Sequence, residues 1–190
     1  MLPAHTQADY RVRFDWGLSG ARAVVGGCDV AVVVDVLSFT TTLTVAADRG
    51  ITVLPYPWRE DAAAFAAEHD AELASGRRRR KPGQVSLSPN TIRESSGLER
   101  LVLPSPNGST IAFALADAGV RVIGASLLSP EARVARSAFQ SVDNVAAQLR
   151  CCASGRELID IGFPDDVEIA AEVDASDAVP ELCDGVFSAS

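Results

Sequence analysis

The chain has 190 residues, of which 47% are apolar and 22% charged, values of a folded globular protein that exclude global disorder. Its 17 Lys and Arg stand against 25 Asp and Glu for a net charge of −8, and five of the basic residues form one run, Arg77 to Lys81, which leaves the rest of the chain at −13. Such an acidic body repels a polyanion, which excludes a general nucleic-acid binder and argues against a membrane-surface protein. No apolar run approaches the ~20 residues of a membrane span. Met1 to Asp15 lacks the regions of a signal peptide. Cys28, Cys151, Cys152 and Cys183 have neither CxxC spacing nor the density of a disulfide framework. The expectation is a cytoplasmic protein with reduced thiols, a single α/β unit over 1–190.

Tyr10, Val12, Phe14 and Trp16 alternate with Arg11, Arg13 and Asp15, the period of a half-buried strand. Asp29 to Asp35 is a continuous β-branched run, which predicts a strand buried on both faces. Ser38 to Asp48 reads as a helix that Gly50 stops. Ile51 to Leu54 reads as a strand and Glu60 to Ala74 as an amphipathic helix. Gly76 to Pro89 reads as a basic loop. Arg100 to Leu103 and Val120 to Gly124 read as strands around a helix at Ser109 to Ala118, and Pro130 to Arg150 and Ser154 to Asp160 as helices. The acidic tail from Asp165 has room for one more helix and an ordered end. This alternation calls for a largely parallel sheet with helices on its faces.

In such sheets ligands bind beyond the carboxyl ends of strands, where helices begin. Asp35 to Thr42 (DVLSFTTT) puts a carboxylate and four hydroxyls at one such junction. The carboxylate suits a hard cation such as Mg²⁺, and the helix amides suit a phosphate or sulfonate. Pro104 to Thr110 (PSPNGST) is the second, with a glycine that permits an anion-cradling turn. Helix capping competes as a reading at both junctions, because caps prefer the same residues. The Arg77 to Lys81 run reads as a solvated loop ahead of an anion clamp. His5 and His69 are isolated, and Cys151-Cys152 suits packing better than redox chemistry. No Walker A, GxGxxG, GxSxG or HExxH pattern occurs.

The phrases VVVDVLSFTTTLTVAADRGI (Val32 to Ile51), SLSP (Ser86 to Pro89), LVLPSPNGSTIA (Leu101 to Ala112) and CASGRELIDIGFPDDVEIAAEVD (Cys152 to Asp174), with RFDWG at Arg13 to Gly17, resemble the 2-phosphosulfolactate phosphatase (ComB-like) family. They come in the family's order over nearly the whole chain. The resemblance implies an α/β phosphatase that uses Mg²⁺ to hydrolyse 2-phosphosulfolactate, or a similar small anionic phosphomonoester, to 3-sulfolactate and phosphate. It implies Asp35 as metal ligand or catalytic acid. It further implies substrate binding by Ser38, Thr40, Thr41, Ser105, Asn107, Gly108, Ser109 and Thr110.

Three departures stand out. Ser38 replaces an Arg found in many members, and Arg77 follows Gly76 where many read Gly-Glu. After Ser126 the chain passes almost directly to Ser129-Pro130-Glu131, so several tens of residues of the family order are missing near 126–129. Losing them would delete an interior strand and leave Val120 to Gly124 with an unpaired edge, which predicts a marginally stable chain that forms homo-oligomers. The rival reading is a non-catalytic anion-binding or structural remnant.

Overall fold

Leu101, Val102 and Leu103 lie in a strand buried on both faces, as a continuous apolar run requires. The computed structural model describes residues 6–125, 144–173 and 175–189. In chain order its elements are α1 (Gly17–Val24), β1 (Val30–Val33), α2 (Phe39–Asp48), β2 (Thr52–Tyr56), α3 (Ala62–Glu68), β3 (Glu72–Leu73) and α4 (Pro89–Arg93). There follow β4 (Arg100–Pro104), α5 (Gly108–Asp117), β5 (Arg121–Gly124), α6 (Val145–Cys151), α7 (Ala153–Asp160), α8 (Pro164–Ala170), β6 (Pro180–Cys183) and β7 (Val186–Ala189). The α/β class is as expected. The strands form one sheet in the order β1-β5-β6-β7-β2-β4-β3.

That sheet is mixed, not largely parallel. Strand β1 runs parallel to β5, and both β2 and β3 run parallel to β4, but the β5–β6, β6–β7 and β7–β2 pairs are antiparallel. The cause is the C-terminal hairpin, which sits in the middle of the sheet and ties its two parallel parts together. Its two-residue loop, Asp184-Gly185, has φ of 50° and 81°, the left-handed pair that matches the twist of a hairpin. Phe187 carries the hairpin into the core, with its ring edge-on to Phe39 at 6.0 Å between centroids. Gly124 in β5 allows the close fit, since a Cβ there would lie 2.7 Å from Leu43 Cδ1.

The hairpin also overturns the expected unpaired edge. Strand β5 is flanked by β1 on one side and β6 on the other, with Val122 opposite Leu182. On that side the outer strand is β1, and its Val30 and Val32 are exposed along with Val34, while Val33 points into the core. The reading of Asp29 to Asp35 as buried on both faces is therefore corrected.

Tyr10 to Trp16 forms no strand, and Tyr10, Val12, Phe14 and Trp16 are all exposed. Arg13 explains the course of this segment. Its guanidinium donates to the carbonyls of Ala8, Tyr10, Val24 and Gly26, so the chain wraps around the arginine and never enters a ladder. Helix α3 stops at Glu68, short of the expected Ala74, because Asp70 takes a left-handed conformation (φ 48°) and the chain turns into β3. Helix α2 ends as read: Gly50 adopts φ 69° and the Ile51 N–H returns to the Ala46 carbonyl at 2.9 Å. The helix expected over Pro130 to Arg150 is seen only as α6, and its earlier part lies outside the described residues, as does the Ser126 to Ser129 junction. Among the described residues no helix is long and apolar enough to cross a membrane.

Candidate functional site

The turn between β1 and α2 is held by its own hydroxyls. The Asp35 N–H donates to Thr40 Oγ1 at 3.1 Å, and the Thr40 N–H donates to the Asp35 carbonyl at 2.9 Å. Thr41 donates to the Val36 carbonyl at 2.6 Å, and Thr42 to the Ser38 carbonyl at 2.9 Å. The Leu37–Ser38 peptide is cis. With these bonds the Phe39 N–H at the head of the helix comes near enough to the Asp35 carboxyl to favour its charged form. Thr40 and Thr41 are buried and bonded to the backbone, so they shape the turn.

The second junction follows the same logic. Ser105 Oγ accepts from the Gly108 N–H at 3.1 Å, Ser109 donates to the Leu103 carbonyl at 2.5 Å, and Thr110 donates to the Ser105 carbonyl at 3.2 Å. Asn107 is exposed, with no capping bond from its side chain. The two junctions meet at one contact, where bare Gly108 faces the Phe39 ring. A Cβ at 108 would fall 2.2 Å from Phe39 Cδ1.

Ser38 opens on a polar cluster that joins four distant parts of the chain. Arg77 donates from Nε to Asp166 Oδ2 at 2.9 Å, and from Nη2 to Ser38 Oγ and to the Leu87 carbonyl. The same Leu87 carbonyl accepts from Ser38 and Thr42, each at 3.3 Å. Ser88 donates to the other Asp166 oxygen. Phe163 lies under the guanidinium, 5.9 Å from its carbon to the ring centroid. Ser86 and Thr91, both buried, lock the 86–91 loop that presents Leu87 and Ser88. Asp166 stands in the first turn of α8, where the helix dipole favours an acid.

The basic run thus divides. Arg77 turns inward with 18% of its side chain exposed, whereas Arg78 to Lys81 face solvent as a solvated loop should. Ser38 and Arg77, 39 residues apart, are in direct contact.

Burial pushes the carboxyls of both Asp35 and Asp166 above the ordinary carboxylate range. The Phe39 N–H and the charge of Arg77 pull Asp35 partly back, and Ser88 and Arg77 do the same for Asp166. Below the ordinary value both folded and unfolded chains hold the proton, and neither loses stability. As pH rises through the higher folded value, charging costs more in the folded state and stability falls. Asp35→Asn, which keeps the acceptor for Phe39 but cannot charge, is expected to melt higher than the parent at pH 7. Thermal melts as a function of pH check this, with the gain vanishing at the acid end.

Among the described residues no three His, Cys, Asp or Glu side chains gather as around a metal. Asp166 is taken up by Arg77, which leaves Asp35 as the carboxylate at this turn able to hold a cation. Mg²⁺ commonly keeps waters and binds through one or two carboxylates plus substrate phosphate, so the half-buried Asp35 fits as a partial ligand set.

Of the residues singled out in the sequence, Asp35, Ser38, Thr40 and Thr41 share the first junction, while Ser105, Asn107, Gly108, Ser109 and Thr110 share the second. Arg77, Asp166 and Ser88 are added by the structure. The signal for Asp166 was the Pro-Asp-Asp phrase at a helix start. Nothing local to Arg77 marks it apart from its basic neighbours.

No family model matches the chain. The chain is similar to a probable 2-phosphosulfolactate phosphatase of Thermotoga petrophila, at 26% identity over 210 positions that take in 84% of this chain and 92% of the relative. It is similar to a probable 2-phosphosulfolactate phosphatase of Thermotoga maritima at 25% identity, with the same coverage of both chains. Since 84% of 190 residues is about 160, about 50 of those 210 positions have no residue of this chain opposite them. These distant relatives point towards a phosphatase.

Proposed function

We propose that the chain is a phosphatase of small anionic phosphomonoesters, 2-phosphosulfolactate among them, acting at the turn between β1 and α2. The observation that carries the reading is the convergence of Asp35, Ser38, Arg77 and Asp166 at a helix start, in a chain distantly similar to probable 2-phosphosulfolactate phosphatases. Amides in the first turns of α2 and α5 that the turns' own acceptors leave unused would face the equatorial phosphoryl oxygens. Asn107 stands at the exposed rim, with half-buried Ser105 beside it, suited to a second anionic group of the substrate. Mg²⁺, held through Asp35, would neutralise charge on the transferring phosphoryl group. Water would attack phosphorus in line and give up a proton, the bond to the ester oxygen would break, and that oxygen would leave as the alcohol with the proton so released.

Phosphate release from 2-phosphosulfolactate and a panel of phosphomonoesters, with Mg²⁺ or with chelator, tests the reading. Release that Asp35→Asn lowers by at least ~10²-fold is expected, the range over which a positioned acid or base contributes. Unchanged release in Asp35→Asn would remove this residue from the chemistry. A second reading, an anion-binding remnant without turnover, draws on the absence of an acidic trio among the described residues. It predicts calorimetric binding of phosphate with no release from any ester.

A further inference from the structure

The Arg77 guanidinium is more fully built in than a structural ion pair needs. Asp166, 1% exposed, fixes Nε from behind, Ser38 and Leu87 fix Nη2, and Phe163 covers a face. Nη1 has no hydrogen-bond partner among the described residues, and 18% of the side chain still reaches solvent. The fork is therefore locked in plane with one amine unused, next to the head of α2 and near enough to act on the Asp35 carboxyl. Arg78 to Lys81 of the same run face solvent, so Arg77 is the cation of that run turned toward the β1–α2 turn. A preorganised guanidinium binds oxyanions more strongly than a mobile one, because less freedom is lost on binding.

We propose that Arg77 is the anion-binding side chain of this site, holding a phosphoryl or sulfonate oxygen through Nη1 while Asp166 serves as its positioning residue. The proposal rests on the reading of the β1–α2 turn as the substrate site and names the residue that gives it charge selectivity. Because Ser38 supplies a hydroxyl to the same guanidinium, the turn receives its cation from a different loop.

Calorimetric titration with inorganic phosphate at two salt concentrations tests it on the parent, Arg77→Ala, Asp166→Asn and the double variant Arg77→Ala with Asp166→Asn. The double variant guards against misfolding, since it removes the buried acid together with its partner. A thermal melt confirms that it is folded. The expected result is a loss of affinity of tenfold or more in both Arg77 variants, with a weaker salt dependence of what binding remains. Asp166→Asn keeps the cation and is expected to lose only a few-fold. Phosphate binding that is equal in the parent and in the folded double variant overturns the role of Arg77 and leaves the turn as an anion site of other residues. A parent that binds no phosphate at either salt concentration overturns both the proposal and the reading beneath it.

Discussion

Phe187→Ala is expected to destabilise the chain by about 3–5 kcal/mol, the usual cost of truncating a fully buried phenylalanine. Its ring is 1% exposed, meets Phe39 edge-on, and belongs to the one hairpin that spans the gap between β5 and β2. Denaturant melts check the number. Deleting 176–190 goes further: it strips β5 and β2 of their ladder partners at once, and unfolding or aggregation is expected where Phe187→Ala still folds. A truncated chain that melts cooperatively near the parent would show that the hairpin merely decorates the sheet.

The second large effect is expected from Gly108→Ala. The new methyl would lie 2.2 Å from Phe39 Cδ1 and 2.6 Å from its Cβ, and the ring cannot withdraw because Phe187 stands beside it. Overpacking of this kind costs about 1–3 kcal/mol, and here the displaced residue begins α2. Thermal stability and phosphate binding are therefore expected to fall together. Phe39→Leu in the Gly108→Ala background, which relieves the clash, is expected to recover part of both. An alanine variant with unchanged melting and binding would mean that the two junctions are not coupled through this contact.

These two effects show what the sequence discloses and what it conceals. Strand β4 and helices α2 and α5 are legible because their patterns are local: Leu101 to Leu103 is an unbroken apolar run, and Gly50 and Gly119 take the left-handed conformations that end helices. The hairpin carried a local signal too, Asp184-Gly185 between short β-prone runs, which the acidic composition of the tail obscures. Its place between β5 and β2 is a long-range fact that no local pattern holds. Tyr10 to Trp16 fails in the opposite way. Its alternation is strand-like, yet Arg13 finds four carbonyls and draws the segment out of any ladder.

The site divides along the same line. Asp35 and the hydroxyls after it are legible as a strand-end junction, but neither N-cap side chain caps its helix, and Thr40, Thr41, Ser109 and Thr110 bond instead to the backbone of the strand ends and turns before the helices. Arg77 and Asp166 lie 89 residues apart, so their pairing is set by tertiary structure alone. In a basic run, one arginine looks like the next until burial singles it out. The contact between Ser38 and Arg77, 39 residues apart, is likewise one that no local pattern holds.

The central claim is that the turn joining β1 to α2, with Arg77 beside it, receives an oxyanion. A crystal structure of the chain with a phosphate mimic such as tungstate, at several concentrations, tests it most directly. The expected result is the oxyanion within hydrogen-bond distance of Arg77 Nη1, beside the head of α2 and with Asp35 facing it. Full occupancy at another surface, with the Arg77 amine still unbound at saturating tungstate, would contradict it.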